Sequence, residues 1–249
     1  MKDHENSNKN YVDKFNNEGF FIIENLIPDK LCKEIHHSLH PLLLEEKIKH
    51  GEKYKEGILP LPLLLRPSLI HSIIQPEVIG FADNLLSQES LIYLCMASFV
   101  ESASANYAIL PHRDITFSTP TSPLFIGLFL TLTDFQKSNG ATIFYRGSHK
   151  CSGASVESFE KFQLEVPTGS AIFFDARIIH NSEFNNSKSS RSCLAIAFCH
   201  PAVRPRFDFP RLLPPDIAET LSEYQKKKLG FLSKVPSSFH EYFIKTSNQ

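Results

Sequence analysis

Tryptophan is absent from this 249-residue chain, and neither sign of charge prevails: 26 lysines and arginines stand against 27 aspartates and glutamates. With that balance, and no basic stripe along the chain, the electrostatic footprint of a nucleic-acid binder is missing. Long apolar runs are missing too. The longest, LFIGLFLTL (Leu124 to Leu132), falls far short of the roughly 20 residues that cross a bilayer as a helix, so no membrane partner is expected. The opening MKDHENSNKN lacks the apolar centre of a secretory signal. Cys32, Cys95, Cys151, Cys193 and Cys199 are odd in number and show no CxxC spacing, so reduced thiols in a cytosolic compartment are the expectation. What the chain does have is phenylalanine, 21 of them, enough to line a core or a pocket.

The length suits one β-domain with helical additions. Residues 1–18 read as a solvated lead-in, and GFFIIENLI (Gly19 to Ile27) as a strand. Pro28-Asp29 opens a helix through about His50, with Leu31, Ile35, Leu39 and Leu42 at helical spacing. A Pro-rich loop, GILPLPLLLRPS, precedes a second helix near Glu77 to Leu86. From about Leu91 to Phe198 the pattern changes to short strands separated by turn residues, which points to a sandwich or jelly-roll barrel. A last helix is expected over Pro215 to Lys228, followed by a Phe-bearing tail. These elements predict a single domain over 1–249: a β-core at about 91–200, helices over 28–87, and a helical tail over 215–246.

The chemistry starts in ILPHRDITF, Ile109 to Phe117. On a strand His112 and Asp114 point to one face and Arg113 to the other. FFDARIIHNSEF supplies a second imidazole, His180, at the end of an apolar run. Two histidines and a carboxylate suit non-haem Fe(II) with open coordination positions, whereas zinc more often takes a closed tetrahedral set or three ligands and water. A His-x-Asp triplet alone is weak, since a rim histidine and a turn-capping aspartate give the same letters. Ser182, two residues after His180, shares its face on a strand. Arg191 begins the apolar strand RSCLAIAF, where burial of its charge calls for an anion. Its fork suits a carboxylate held bidentately, as one end of a dicarboxylate cosubstrate would be. A structural ion pair is the plain alternative for Arg191.

His112-x-Asp114, His180 with Ser182, and Arg191 eleven residues after His180 resemble the phytanoyl-CoA dioxygenase family of Fe(II)/2-oxoglutarate oxygenases. The resemblance extends over LTDFQKSNGATIFYRGSHK (Leu132 to Lys150), with Arg146 where the family has proline, and over PTGSAIFFDARIIH. It implies a mainly β fold, a double-stranded β-helix (jelly-roll, cupin-like) core with flanking α-helices. It also implies Fe(II) on His112, Asp114 and His180, and 2-oxoglutarate anchored by Arg191 with help from Ser182. The activity it implies is O2-dependent hydroxylation of an unactivated C–H bond, with release of succinate and CO2. The substrate would be a small molecule: an amino acid, a lipid-type acid or a natural-product intermediate. A metal-dependent cupin-type isomerase or hydrolase would account for the ligands but not for Arg191, and a non-catalytic jelly-roll binding module for neither.

Other residues have plainer readings. Asn106 and Tyr107 are rim or pocket positions, and Thr131 and Thr133 either reach 2-oxoglutarate or reflect strand propensity. His36 and His40 lie four apart without the glutamate of HExxH, so a solvated helix face is expected. His149 and His200 read as turn residues, Asp134 and Asp175 as strand ends, and QKKKLG as a helix C-terminus whose lysines complement the dipole.

Overall fold

The computed structural model describes residues 2–51, 57–86, 89–105, 107–116, 123–233 and 238–241. Among these, six strands form a large antiparallel sheet: β1 (Phe20–Ile23), β2 (Ile58–Pro60), β3 (Leu91–Val100), β4 (Phe125–Thr131), β7 (Ala171–Asp175) and β9 (Arg191–Cys199). Three short ones, β5 (Ile143–Tyr145), β6 (Lys161–Gln163) and β8 (His180–Asn181), form a smaller antiparallel sheet. The orders are β1-β7-β4-β9-β3-β2 and β6-β5-β8. The large sheet therefore reaches beyond residues 91–200, because β1 and β2 close its two edges. No helix among the described residues is long and apolar enough to cross a membrane.

Pleating sends neighbouring side chains of the large sheet to opposite layers. Phe21, Leu130, Phe173, Leu194, Ile196 and Phe198 pack against the helices, together with Leu39 and Ile70. Phe20, Phe174 and Cys193 face the smaller sheet, with Phe135, Phe144, Leu164 and Ile178. Covering on both faces is why β4 and β9 read as nearly unbroken apolar runs instead of alternating ones.

The helices depart from the expected pattern at identifiable residues. The lead-in is α1 (Lys2–Glu18), and its end is not solvated: Phe15 is buried, and Tyr11 stacks on Phe21 at 4.9 Å between ring centroids. The single helix expected through His50 is two, α2 (Asp29–Leu39) and α3 (Leu42–His50). The break falls at Pro41, which has no N–H to continue the ladder and whose ring crowds the preceding turn. The Pro-rich stretch is not all loop: after β2 come α4 (Pro62–Leu65), α5 (Ser68–Ile73), α6 (Pro76–Ile79) and α7 (Phe81–Leu85). Past β9 lie α8 (Phe209–Leu212), α9 (Pro215–Thr220) and α10 (Glu223–Lys228), so the expected helix over 215–228 is also interrupted. Ser222 restarts it through a reciprocal cap, accepting from Gln225 N at 3.2 Å while Gln225 Oε1 accepts from Ser222 N at 3.0 Å. Lys228 is not a solvated dipole partner; it is buried against Asp83 and Ser90.

Candidate active site

The strand expected over Ile109–Phe117 does not form as such. Tyr107–Ile109 makes a 3-10 turn, His112 joins the sheet through one bridge to His180, and Phe117 lies outside the described residues. That bridge is reciprocal, with each backbone N–H donating to the other's carbonyl at 2.9 Å. The local alternation still holds. His112 and Asp114 face His180, while Arg113 turns away and donates to the carbonyls of Ser148 (2.9 Å), Cys151 (2.8 Å) and Arg177.

The three donors converge. Asp114 Oδ1 lies 3.9 Å from His112 Nε2 and 3.8 Å from His180 Nε2. Those separations are too long for hydrogen bonds and leave room for a shared ion. Among the described residues this is the one His/Cys/Asp/Glu group that could hold a metal, with all three donor atoms within 4.8 Å of one another. Each imidazole is turned by its own chain: His112 Nδ1 meets Leu110 O at 3.0 Å, and His180 Nδ1 meets Ile178 O at 3.2 Å. With Nδ1–H donating there, Nε2 is left facing the group as a ligand. The His180 side chain is only 6% exposed, and its ring sits between Phe129, Phe144 and Phe174 at centroid distances of 5.5–6.4 Å. Burial holds its pKa below the usual histidine value, opposed by Asp114 and reinforced by His112. It is therefore neutral at neutral pH, the form that binds metal.

A cavity of about 260 Å³ adjoins this group, and Arg191 and Ser182 line it with the three donors. Small residues hollow it: Ala195 and Ala197 on β9, Gly127 on β4, and Ala176 after β7. Gly127 has a further reason, since a Cβ there would overlap the Phe174 ring that flanks His180.

Arg191 is 4% exposed. Its Nη1 donates to Gly140 O, and its guanidinium carbon lies 4.8 Å from the Phe135 ring centroid. Gly140 can offer that carbonyl because it takes a left-handed φ of +70°, where any Cβ would also overlap Glu183 O. No described carboxylate pairs with Arg191, so the structural ion pair is not what holds it. Burial lowers its pKa to about 10, so it remains charged at neutral pH. Arg191 is thus a buried cation without a described carboxylate partner, and it lines the cavity. Ser182 is also buried, and its backbone N–H donates to Ala108 O at 2.8 Å.

Other candidates separate cleanly. Thr131 Oγ1 donates to Pro167 O at 2.9 Å, and Thr133 Oγ1 accepts from Ser192 N at 2.9 Å, so both tie strands within the fold, and neither is among the residues that line this cavity. Asn106 lies outside the described residues, and so does the Tyr107 side chain. The His36/His40 face is not simply solvated. The two rings stack 5.4 Å apart beside Phe99, and His36 Nδ1 meets Ser192 Oγ at 2.8 Å. His149 reaches Asn16 O at 3.3 Å, and His200 Nδ1 accepts from Ala202 N at 3.0 Å, both as turn residues. Asp175 ends β7 fully buried in a fork with Arg177, and Asp134 accepts from Thr168 N at 2.8 Å. Sequence reasoning missed Cys193, Asn181 and Arg206 on the cavity wall. Cys193 was within reach, two residues after Arg191 on the same strand face; Arg206, on an irregular connection, gave no periodic signal.

The sequence profile described as phytanoyl-CoA dioxygenase (PhyH) matches residues 15–193. The chain is 26% identical over 243 residues to "Dioxygenase olcK" of Penicillium canescens, covering 87% of this chain and 78% of that protein. It is 24% identical over 241 residues to "Iron/alpha-ketoglutarate-dependent dioxygenase penM" of Penicillium thymicola, covering 87% and 75%. In fold it is similar to the non-heme alpha ketoglutarate dependent carbocyclase SnoK from nogalamycin biosynthesis, with a TM-score of 0.66 at 19% identity over 86% of this chain and 90% of that one.

Proposed function

The chain belongs to the phytanoyl-CoA dioxygenase family and is an Fe(II)/2-oxoglutarate-dependent dioxygenase, and from that premise we propose that it hydroxylates an unactivated C–H bond of a small natural-product-like or acid substrate. In this reading His112, Asp114 and His180 hold the iron, and Arg191, with Ser182 beside it, takes the distal carboxylate of 2-oxoglutarate. The two sheets facing each other across the cavity are then the two sides of a double-stranded β-helix within one domain. The observation that carries the proposal is Arg191: buried, charged, without a described carboxylate partner, and opening on the same cavity as the three donors.

The residues fit the group. Two imidazoles and a carboxylate are the donor set preferred by Fe(II) with open positions. When bound, Fe(II) and 2-oxoglutarate supply O2 activation with release of succinate and CO2, one oxygen atom going to succinate and the other to substrate. The protein's part is positioning. Leu110 O and Ile178 O fix the two rings, the Phe129, Phe144 and Phe174 side chains keep water from His180, and Arg191 sets the cosubstrate's direction. Asp114 would supply a third protein ligand to the metal, and a carboxylate there favours hydroxylation over halide transfer. All five cysteines are free thiols, in keeping with a reducing, cytosolic setting.

The test is anaerobic reconstitution. The purified protein should take up one Fe(II) per chain and develop a weak visible charge-transfer band when 2-oxoglutarate is added. Admitting O2 with substrate should yield succinate and a product heavier by one oxygen atom. Zinc held by four protein ligands, with no response to 2-oxoglutarate, would overturn the reading; a product lighter by two hydrogens would replace hydroxylation with ring closure or desaturation.

A further inference from the structure

The cavity wall carries a second arginine besides Arg191. Arg191, Cys193, Ala195 and Ala197 of β9 all line the cavity. The connection after β9 folds back so that Arg206 N donates to Tyr93 O at 3.1 Å, and Arg206 joins the cavity lining. Tyr93 stands at the register shift beside the Leu94↔Ala197 pair, whereas Phe129, which flanks His180, pairs with Ala195. Phe174, which also flanks His180, pairs with Gly127 and through it with Ala197, so the donor group stands beside β9 near Ala195 to Ala197, and Arg206 is attached close to it.

Arg206, with Arg204 beside it, differs from the arginines elsewhere in the chain, and of the two only Arg206 lines the cavity. Arg66 donates to Leu65 O, Arg113 to three loop carbonyls and Arg191 to Gly140 O, while Arg146, Arg177 and Arg211 pair with acids. The exposed guanidinium of Arg206 has no hydrogen bond or ion pair with any described residue, and neither has that of Arg204 two positions earlier. The lining that Arg206 shares with the donor group includes the apolar Met96, Ile115 and Phe125. We propose that the substrate is an apolar molecule ending in a carboxylate and that Arg206 receives this carboxylate while the apolar part reaches the donor group. The inference rests on the reading above, in which 2-oxoglutarate takes Arg191 and leaves the rest of the cavity for substrate.

The probes are the straight-chain acids from butanoate to decanoate, each beside its primary amide, which keeps the shape and removes the charge. Binding is read in two ways: as a change in the visible band of the anaerobic Fe(II)–2-oxoglutarate protein, and as a thermal shift of the metal-free protein. At least one acid should bind about tenfold more tightly than its amide. Arg206→Gln should erase that preference while amide binding and the band itself stay unchanged, and Arg206→Lys should keep part of it. No acid binding better than its amide, or a preference that survives Arg206→Gln, overturns the proposal. Failure of the metal reading looks different, because the band is then missing before any probe is added, and the thermal-shift comparison still decides the role of Arg206.

Discussion

β9 and the segment around His112 face each other across one cavity, yet they are held by opposite means. β9 is paired along both edges, from Leu91↔Cys199 to Val100↔Arg191 on β3 and from Phe125↔Cys199 to Thr131↔Cys193 on β4. The His112 segment has the bridge to His180 and two flanking backbone bonds, Ser182 N to Ala108 O (2.8 Å) and Ile115 N to Ala176 O (3.1 Å). Beyond these it is held by side chains: Asn181 Nδ2 donates to Ile109 O at 3.3 Å, and the Arg113 guanidinium ties it to three carbonyls. A long ladder fixes where side chains point through register, whatever those side chains are. A single bridge does not, and there the side chains themselves hold the geometry. Replacements on β9 should therefore alter ligand binding with little loss of stability, while replacements beside His112 should disturb the metal site through its position.

The largest effects are expected at the donors. Asp114→Ala and His180→Ala should each lower Fe(II) affinity by at least about 100-fold, beyond what loss of a supporting residue costs, in a competitive chelator titration. Their melting temperatures should separate. The Asp114 side chain is 45% exposed, so its loss should leave Tm nearly unchanged, whereas His180→Ala opens a void among three phenylalanines and should lower it. Equal iron affinity in wild type and Asp114→Ala would remove the carboxylate from the site.

Arg191→Met tests the ladder side. Losing charge-assisted bonds of roughly 1.5–3 kcal/mol each should raise the 2-oxoglutarate KM tenfold or more with iron affinity unchanged. Because it removes a buried cation without a carboxylate partner, the ligand-free protein should lose no more than about 1 kcal/mol in a urea titration. A large loss of stability with an unchanged KM would make Arg191 structural.

Arg113→Gln tests the other side. Strand alternation alone predicts tolerance, since the side chain points away from the donors. Its three backbone acceptors predict otherwise: a loss of about 1–3 kcal/mol in stability and a several-fold weaker iron affinity, with the 2-oxoglutarate KM unaltered. Wild-type iron affinity in this variant would mean that the His112–His180 bridge suffices.

The smallest effect is on acid stability. Burial, then the neighbouring charges of His40 and His37, hold the His36 pKa below its usual value, partly opposed by Glu101. The unfolded chain then binds the proton more readily, so this contribution to stability is present above about pH 6.5 and is lost as pH falls through that value toward the lower folded pKa. His36→Gln should make the drop in Tm from about pH 7.5 to about pH 5.5 shallower than in wild type. An unchanged slope would assign the acid sensitivity to His149 and His180, whose pKa values burial also lowers.

Much of the site was legible because its signals are local. His112-x-Asp114, His180 and Arg191 are polar residues set into apolar strand patterns at motif spacing, and the structure brings all four to one cavity. The strand pattern of β3, β4, β7 and β9 was legible for the same reason. Helix continuity was not. Pro41 and Ser222 interrupt apolar periodicities that otherwise run on, and the periodicity of α1 is too polar to reveal that Tyr11 and Phe15 pack on the sheet.

By itself the sequence determined the donor types, their order, and the strand alternation that turns Arg113 away from His112 and Asp114. Only the tertiary structure decided that Arg113 is a tie and not a free surface charge, that the His36 face is covered, and that Arg206 lines the cavity. The reason is reach. Side-chain alternation and residue chemistry are set within a few positions, but Arg113 and its acceptor at Arg177 are 64 positions apart, and His36 and Ser192 are 156 apart. No local pattern records which distant carbonyl or hydroxyl the folded chain will bring within hydrogen-bonding distance.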